Sequence, residues 1–284
     1  MNFLYFKQNT FNGNSMQLNT IYNMNCLDLM KEMDAGCVDV ILTSPPYNTN
    51  KKGSSKVNTN TVHAKHGEFT YARYDGYDDN LTNEQYCDFV SECFNGFDKV
   101  LKPNGVILWN ASYGNENANA MFLALNRIIQ EGFTIADVIT WKKKSALPDN
   151  QSPNKATRIC EFVYVIVRSG EFKTFKANKK VSSVRETGQK MYSPFYNFIE
   201  APNNDGKNNL NKAAFSTKLV TSLLELYAPP EKETVVFDPF IGTGTTAVGA
   251  VALGMQYIGS EISSEQVKYS IERIRLAKEN NHAR

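Results

Sequence analysis

The chain has 284 residues, 42% of them hydrophobic and 21% charged, with a formal net charge of +2. These proportions exclude a disordered, collagen-like or polycationic chain, and the length suits one large α/β domain or a domain with an insertion. Five cysteines without a C-x-x-C pair and three histidines argue against a zinc site, so no metal is expected and the thiols read as reduced. No secretory h-region follows Met1 and no run of 18 apolar residues occurs, so the chain reads as cytoplasmic, with no membrane partner.

The first strong element is Val38-Asp39-Val40-Ile41-Leu42-Thr43, an apolar run that predicts a buried strand. Ser44-Pro45-Pro46-Tyr47 ends it, because two prolines offer no N–H to a ladder. Open α/β sheets bind ligands at that end of a strand. The turn offers the Ser44 hydroxyl, the Pro45 carbonyl and the Tyr47 ring. Two acceptors beside an aromatic plate suit a flat group carrying an exocyclic amine, such as a nucleobase. A strand-ending turn in which Tyr47 only packs is the competing reading.

Residues 49–80 are rich in Lys, Asn, Ser, Thr and Gly and read as a mobile loop beside that turn. Residues 81–101 predict a helix, with Thr82 as N-cap and Gln85 completing a capping box. Its apolar stripe, Phe89, Val90, Phe94, Phe97 and Leu101, reads as core. Lys102-Pro103-Asn104-Gly105 predicts a turn and 106–109 a strand. A helix over 119–131 and strands over 138–141 and 162–167 follow. Residues 142–190 carry twelve Lys or Arg against four Asp or Glu. That asymmetry points to a phosphate-contacting face, for which Lys142, Lys143, Lys144, Lys179, Lys180 and Arg185 are the candidates. A solvated cationic surface is the alternative.

A β-α-β-α unit closes the chain: a strand over 234–238, a helix over 247–253, a strand over 256–260 and a helix over about 265–278. Pro239-Phe240-Ile241-Gly242-Thr243-Gly244-Thr245-Thr246 joins its first two elements. Glycines let a backbone approach a ligand, and Glu261, 17 residues after Gly244, suits a ribose. A dinucleotide site competes, since G-T-G-T-T-A fits the loose G-x-G-x-x-G/A pattern. Asp238 weighs against it: a carboxylate favours an ammonium or sulfonium and repels a pyrophosphate. The cofactor is therefore expected to be cationic, as S-adenosyl-L-methionine is.

Together, Ser44-Pro45-Pro46-Tyr47 and Asp238-Pro239-Phe240-x-Gly242-Thr243-Gly244 resemble the DNA amino-methyltransferases of bacterial restriction–modification systems, in the motif order of their permuted β class. Residues 21–48, Trp141-Lys142-Lys143 and the 214–219 segment are similar to further family blocks. Thr243 stands where that family usually has serine, and Asn25 where aspartate is common. The resemblance implies a Rossmann-like α/β fold, with a mostly parallel twisted sheet flanked by helices. Residues 1–172 and 212–284 would form the catalytic domain and 173–211 a target-recognition region. It implies S-adenosyl-L-methionine held by Asp238, Pro239, Phe240, Gly242, Thr243, Gly244, Thr245, Glu261, Asn25 and Thr43. Ser44, Pro45, Pro46 and Tyr47 would hold the flipped base. Double-stranded DNA, a cognate restriction endonuclease and a homodimer are the implied partners. No Pro-Cys pair exists, so cytosine-C5 chemistry is set aside. Ser44 favours cytosine N4 as acceptor; Asn48, common among adenine enzymes, favours adenine N6. An RNA or protein methyltransferase and a nucleotide-binding oxidoreductase are the other readings.

Overall fold

The computed structural model describes residues 16–48, 81–112, 119–146, 153–206 and 215–282. The predicted loop over 49–80 lies outside the described residues. Ten strands and six α-helices are described: β1 (Thr20–Tyr22), α1 (Cys26–Glu32), β2 (Val38–Thr43), α2 (Asn83–Val100), β3 (Leu101–Ala111), α3 (Ala120–Gln130), β4 (Phe133–Lys143), β5 (Cys160–Arg168), β6 (Val181–Val184), β7 (Lys190–Tyr192), β8 (Phe198–Ala201), α4 (Thr217–Tyr227), β9 (Val235–Asp238), α5 (Thr245–Ala252), β10 (Gln256–Ser260) and α6 (Ser264–His282). Among them no helix is long and apolar enough to cross a membrane.

Eight strands form one sheet in the order β1-β10-β9-β2-β3-β5-β4-β8. All run parallel except β5, which is antiparallel to both β3 and β4. The central strands are buried on both faces, which explains their unbroken apolar runs. In β2, Ile41 packs with Phe94, Phe97 and Trp109 on the α1–α3 side. Val40 and Leu42 face Leu219, Val220 and Ala250 on the other. Phe94 is fully buried and meets Trp109 and Phe133 edge-on at 5.3 and 5.0 Å. Truncating such a ring typically costs about 3–5 kcal/mol.

Local signals hold where they are strong. The capping box is present, with Thr82 accepting from Gln85 N–H and the Gln85 side chain accepting from Thr82 N–H. The predicted turn at 102–105 is instead an excursion within β3: Val38 pairs with Leu101 and Val40 with Val106. Pro103 has no N–H to give and Asn104 is left-handed (φ 61°), so these residues loop out while pairing with β2 resumes beyond them. β4 and β5 run longer than their apolar cores, because each supplies the other's hydrogen bonds from Phe133↔Arg168 to Lys142↔Cys160.

The decisive feature is a switch point. From β2 the chain crosses through α2 to β3 on one side; from β9 it crosses through α5 to β10 on the other. β2 and β9 are adjacent and parallel. A crevice between their carboxyl ends is where such sheets bind ligands. β6 and β7 pair only with each other, away from this sheet.

Candidate active site at the switch point

β2 delivers Ser44-Pro45-Pro46-Tyr47 directly to the crevice. The Ser44 and Tyr47 hydroxyls lie 2.8 Å apart, and Tyr47 donates to Asn110 Oδ1 at 3.1 Å. Asn110 is 2% exposed, near the end of β3, and its Nδ2 donates to the Phe162 carbonyl at 3.2 Å. Tyr86 Oη donates to the Pro46 carbonyl at 3.0 Å, which fixes the second proline from α2. The Tyr47 ring is half-buried against the α1–α3 core. Asn48 is fully buried with φ 52°. Its amide both donates to and accepts from the Leu81 backbone at 2.8 Å, joining the chain on either side of 49–80.

β9 delivers the second half. Asp238 is 2% exposed. Its Oδ1 accepts from the Thr43 hydroxyl at 2.6 Å and from Phe240 N–H at 3.0 Å; its Oδ2 accepts from the Thr246 hydroxyl at 2.6 Å. Burial pushes this acid up to about 6, the nearby Glu261 charge adds to the rise, and the Thr246, Thr43 and Phe240 hydrogen bonds oppose it. Pro239 is buried beside it, and Phe240 is half-buried with its ring 5.9 Å from that of Phe89. Gly242 and Gly244 both take left-handed φ, 52° and 84°. A Cβ on Gly244 would stand 2.8 Å from that of Ser270, so α6 as well as the backbone requires glycine there.

Glu261 ends β10 with its carboxylate already aligned. Oε2 accepts from Gly242 N–H at 3.1 Å and Oε1 from Ser263 N–H at 2.8 Å. Burial raises this acid, while those amides and that of Ile262 pull it back. Each carboxylate oxygen retains a second lone pair for a diol. Thr243 and Thr245 are buried under Arg273, whose Nη1 donates to the Thr243 carbonyl at 2.8 Å and the Thr245 hydroxyl at 3.1 Å. Asn25 is exposed and caps α1 by accepting from Leu27 N–H at 2.8 Å.

The donor set fits a cationic nucleoside cofactor. It holds two largely buried carboxylates, and among the described residues no Lys or Arg pairs with Asp238 or Glu261. A pyrophosphate would meet like charge here.

The predicted cationic face divides in two. Lys142 pairs with Glu200 at 2.9 Å, and Lys143 pairs with Glu161 while its ammonium lies 5.2 Å over the Trp141 ring. Lys144, Lys179, Lys180 and Arg185 are exposed. The last three lie on or beside the β6–β7 ribbon, together with exposed Val184, Tyr192 and Tyr196.

Asn110, Tyr86 and Arg273 escape sequence reading. Asn110 is one residue past the predicted strand 106–109, at the end where ligands sit; extending that strand would have found it. Tyr86 and Arg273 carried no local signal, since each lies within a helix whose pattern explains it.

The family model described as DNA methylase (N6_N4_Mtase) matches residues 38–272. The Type II methyltransferase M.HinfI of Haemophilus influenzae is 26% identical over 271 residues, covering 93% of this chain and 70% of that protein. Among solved structures, the cytosine-N4-specific PvuII DNA methyltransferase aligns with a TM-score of 0.63 at 20% identity, over 91% of this chain and 87% of that one. TTHA0409 of Thermus thermophilus, a DNA modification methylase complexed with S-adenosyl-L-methionine, aligns at 0.55 and 17% identity, over 91% of this chain and 95% of that one. At these identities the structural likenesses speak for the fold.

Proposed function

The chain belongs to the DNA methylase family, and from that premise we propose that it transfers a methyl group from S-adenosyl-L-methionine to the exocyclic N4 of a cytosine flipped out of duplex DNA. The observation that carries this reading is the Thr43–Asp238 hydrogen bond of 2.6 Å, which locks the base-binding turn to the cofactor turn across the switch point.

The cofactor supplies a methyl carbon made electrophilic by its sulfonium. Glu261, aligned by Gly242 and Ser263, would hold its ribose, and the buried charge of Asp238 favours a cation in the crevice. The turn at Gly242 and Gly244 lets the backbone reach it, with Thr43, Asn25, Pro239, Phe240, Thr243 and Thr245 around it. An exocyclic amine is a poor nucleophile because its lone pair is delocalised into the ring. Ser44 Oγ and the Pro45 carbonyl would accept its two N–H bonds and draw the nitrogen toward tetrahedral geometry. The Pro45 carbonyl receives no donor from the described residues, whereas that of Pro46 is taken by Tyr86. Positioning and electrostatics then supply most of the rate. A base inside a duplex cannot reach such a turn, so it must flip, and stacking on Tyr47 offsets about 1–3 kcal/mol of that cost.

Ser44 supports cytosine N4. The second reading, adenine N6, rests on Asn48, whose amide is spent on Leu81. The exposed β6–β7 ribbon, within the proposed target-recognition region 173–211, fits the width of a major groove. Cytoplasmic placement, a cognate endonuclease and a homodimer belong to the same reading.

Digesting duplex DNA methylated by the protein to nucleosides for mass spectrometry tests it. N4-methylcytosine is expected. N6-methyladenine alone would overturn the base assignment, and methylation of RNA but not DNA would overturn the substrate.

A further inference from the structure

Serine is ambiguous as a base-binding residue, because its hydroxyl donates as readily as it accepts. An exocyclic amine needs an acceptor, and a keto oxygen at the same place on another base needs a donor. Three hydrogen bonds behind Ser44 remove the ambiguity.

The Phe162 carbonyl only accepts, so the atom of Asn110 that faces it at 3.2 Å carries hydrogen. Asn110 Oδ1 is thereby turned to Tyr47, and an amide oxygen only accepts. The single phenolic proton of Tyr47 must therefore point at Asn110, across 3.1 Å. With that proton committed, the contact between Tyr47 and Ser44 at 2.8 Å is a bond only if Ser44 donates. The single Ser44 proton points back toward β3, and both oxygen lone pairs are left for an incoming N–H. Among the described residues no other donor reaches them.

We propose that Asn110 is a positioning residue that sets the polarity of the Asn110–Tyr47–Ser44 chain, so that Ser44 acts as an acceptor only. Amino bases are accepted at the site and keto bases refused. The orienting carbonyl comes from β5, the one strand antiparallel to its neighbours. The proposal rests on the reading of Ser44 as the amine-binding residue.

The test measures single-turnover methyl transfer to unmethylated duplex DNA for wild type, Asn110→Leu, Tyr47→Phe, Ser44→Asp and Asn110→Leu with Ser44→Asp. Cofactor affinity by calorimetry and melting temperature are followed in parallel. Asn110→Leu and Tyr47→Phe should each slow transfer by roughly 10- to 100-fold, the loss expected for one misoriented buried hydrogen bond. Cofactor affinity should change less than about twofold. A carboxylate at position 44 accepts whatever lies behind it, so Asn110→Leu should cost under about threefold in the Ser44→Asp background. A purely packing role for Asn110 predicts the same loss in both backgrounds, and that result would overturn the proposal. So would an inactive Ser44→Asp chain, since an acceptor is what the proposal requires there. A wild-type chain inactive on duplex DNA would instead sink the methyl-transfer reading on which it rests.

Discussion

The hydroxyl of Thr43 and the carboxylate of Asp238 meet at 2.6 Å although 195 residues separate them in the chain. Each is the last residue of its strand, and those strands are neighbours. The bond is buried, so nothing in water competes for it. Replacing Thr43 by valine keeps the shape and removes the donor, leaving a buried carboxylate short of one hydrogen bond. We expect a loss of about 1–3 kcal/mol in urea unfolding, with Thr43→Ser close to wild type. Equal stability of the valine variant and wild type would show that the bond does not hold the switch point together.

Asp238 makes the protein's stability depend on pH. Its folded value, about 6, lies above the ordinary carboxylate value of 3.8. Folding therefore favours its protonated form. The stabilisation is fully present below about 3.8, falls as the pH rises through about 6, and is absent above. Other groups titrate too, so the comparison is with Asp238→Asn, which has no such ionisation. Its stability relative to wild type should rise between pH 4 and pH 6 by up to roughly 3 kcal/mol. A flat difference across that interval would contradict the buried, unpaired carboxylate. A bound cation favours the ionised form, so cofactor binding below pH 6 should release a proton, read by calorimetry in buffers of different ionisation enthalpy.

Gly244→Ala should damage the cofactor turn specifically. At φ 84° a side chain is strained, and the new Cβ would lie 2.8 Å from Ser270 Cβ and 3.2 Å from its Cα. We expect destabilisation of about 1–3 kcal/mol and at least tenfold weaker S-adenosyl-L-methionine binding by calorimetry. Gly170→Ala, where the added atom meets nothing within 4 Å, serves as the control and should bind normally. Unchanged affinity in Gly244→Ala would remove this turn from the cofactor site.

The two groups of cations should behave differently toward DNA. Lys179→Gln with Lys180→Gln removes exposed charges beside the ribbon. We expect weaker binding and a salt dependence whose log–log slope shrinks by about 0.9 for each phosphate no longer neutralised. Lys142→Gln should change the slope less, because Lys142 already pairs with Glu200. The opposite ranking in salt-titrated binding assays would move the DNA face toward the β4 edge.

Much of this architecture was legible from local chemistry. The run from Val38 to Thr43 could only be a strand buried on both faces, and Pro45-Pro46 could only end it. Thr82 and Gln85 announced the start of α2, and the glycines with Asp238 and Glu261 marked a nucleoside pocket. The 102–105 segment misled because turn residues look alike whether they end a strand or loop out of one; pairing with β2 decides. The basic stretch misled in part because composition counts charges without their partners, and Glu161 and Glu200 take up two of them.

The amino acids alone therefore determined what each motif is made to hold: an amine and a ring plane at Ser44-Pro45-Pro46-Tyr47, a cation and a ribose at Asp238, Gly242, Gly244 and Glu261. Those properties reside in single side chains and short turns, and adjacent residues suffice to read them. Sheet order decided the rest. By setting β2 against β9 and β3 against β5, it brought Thr43 to Asp238 and Asn110 to Phe162. Hydrogen bonds between distant segments leave no periodicity in the chain, because each depends on which strands become neighbours rather than on which residues are consecutive.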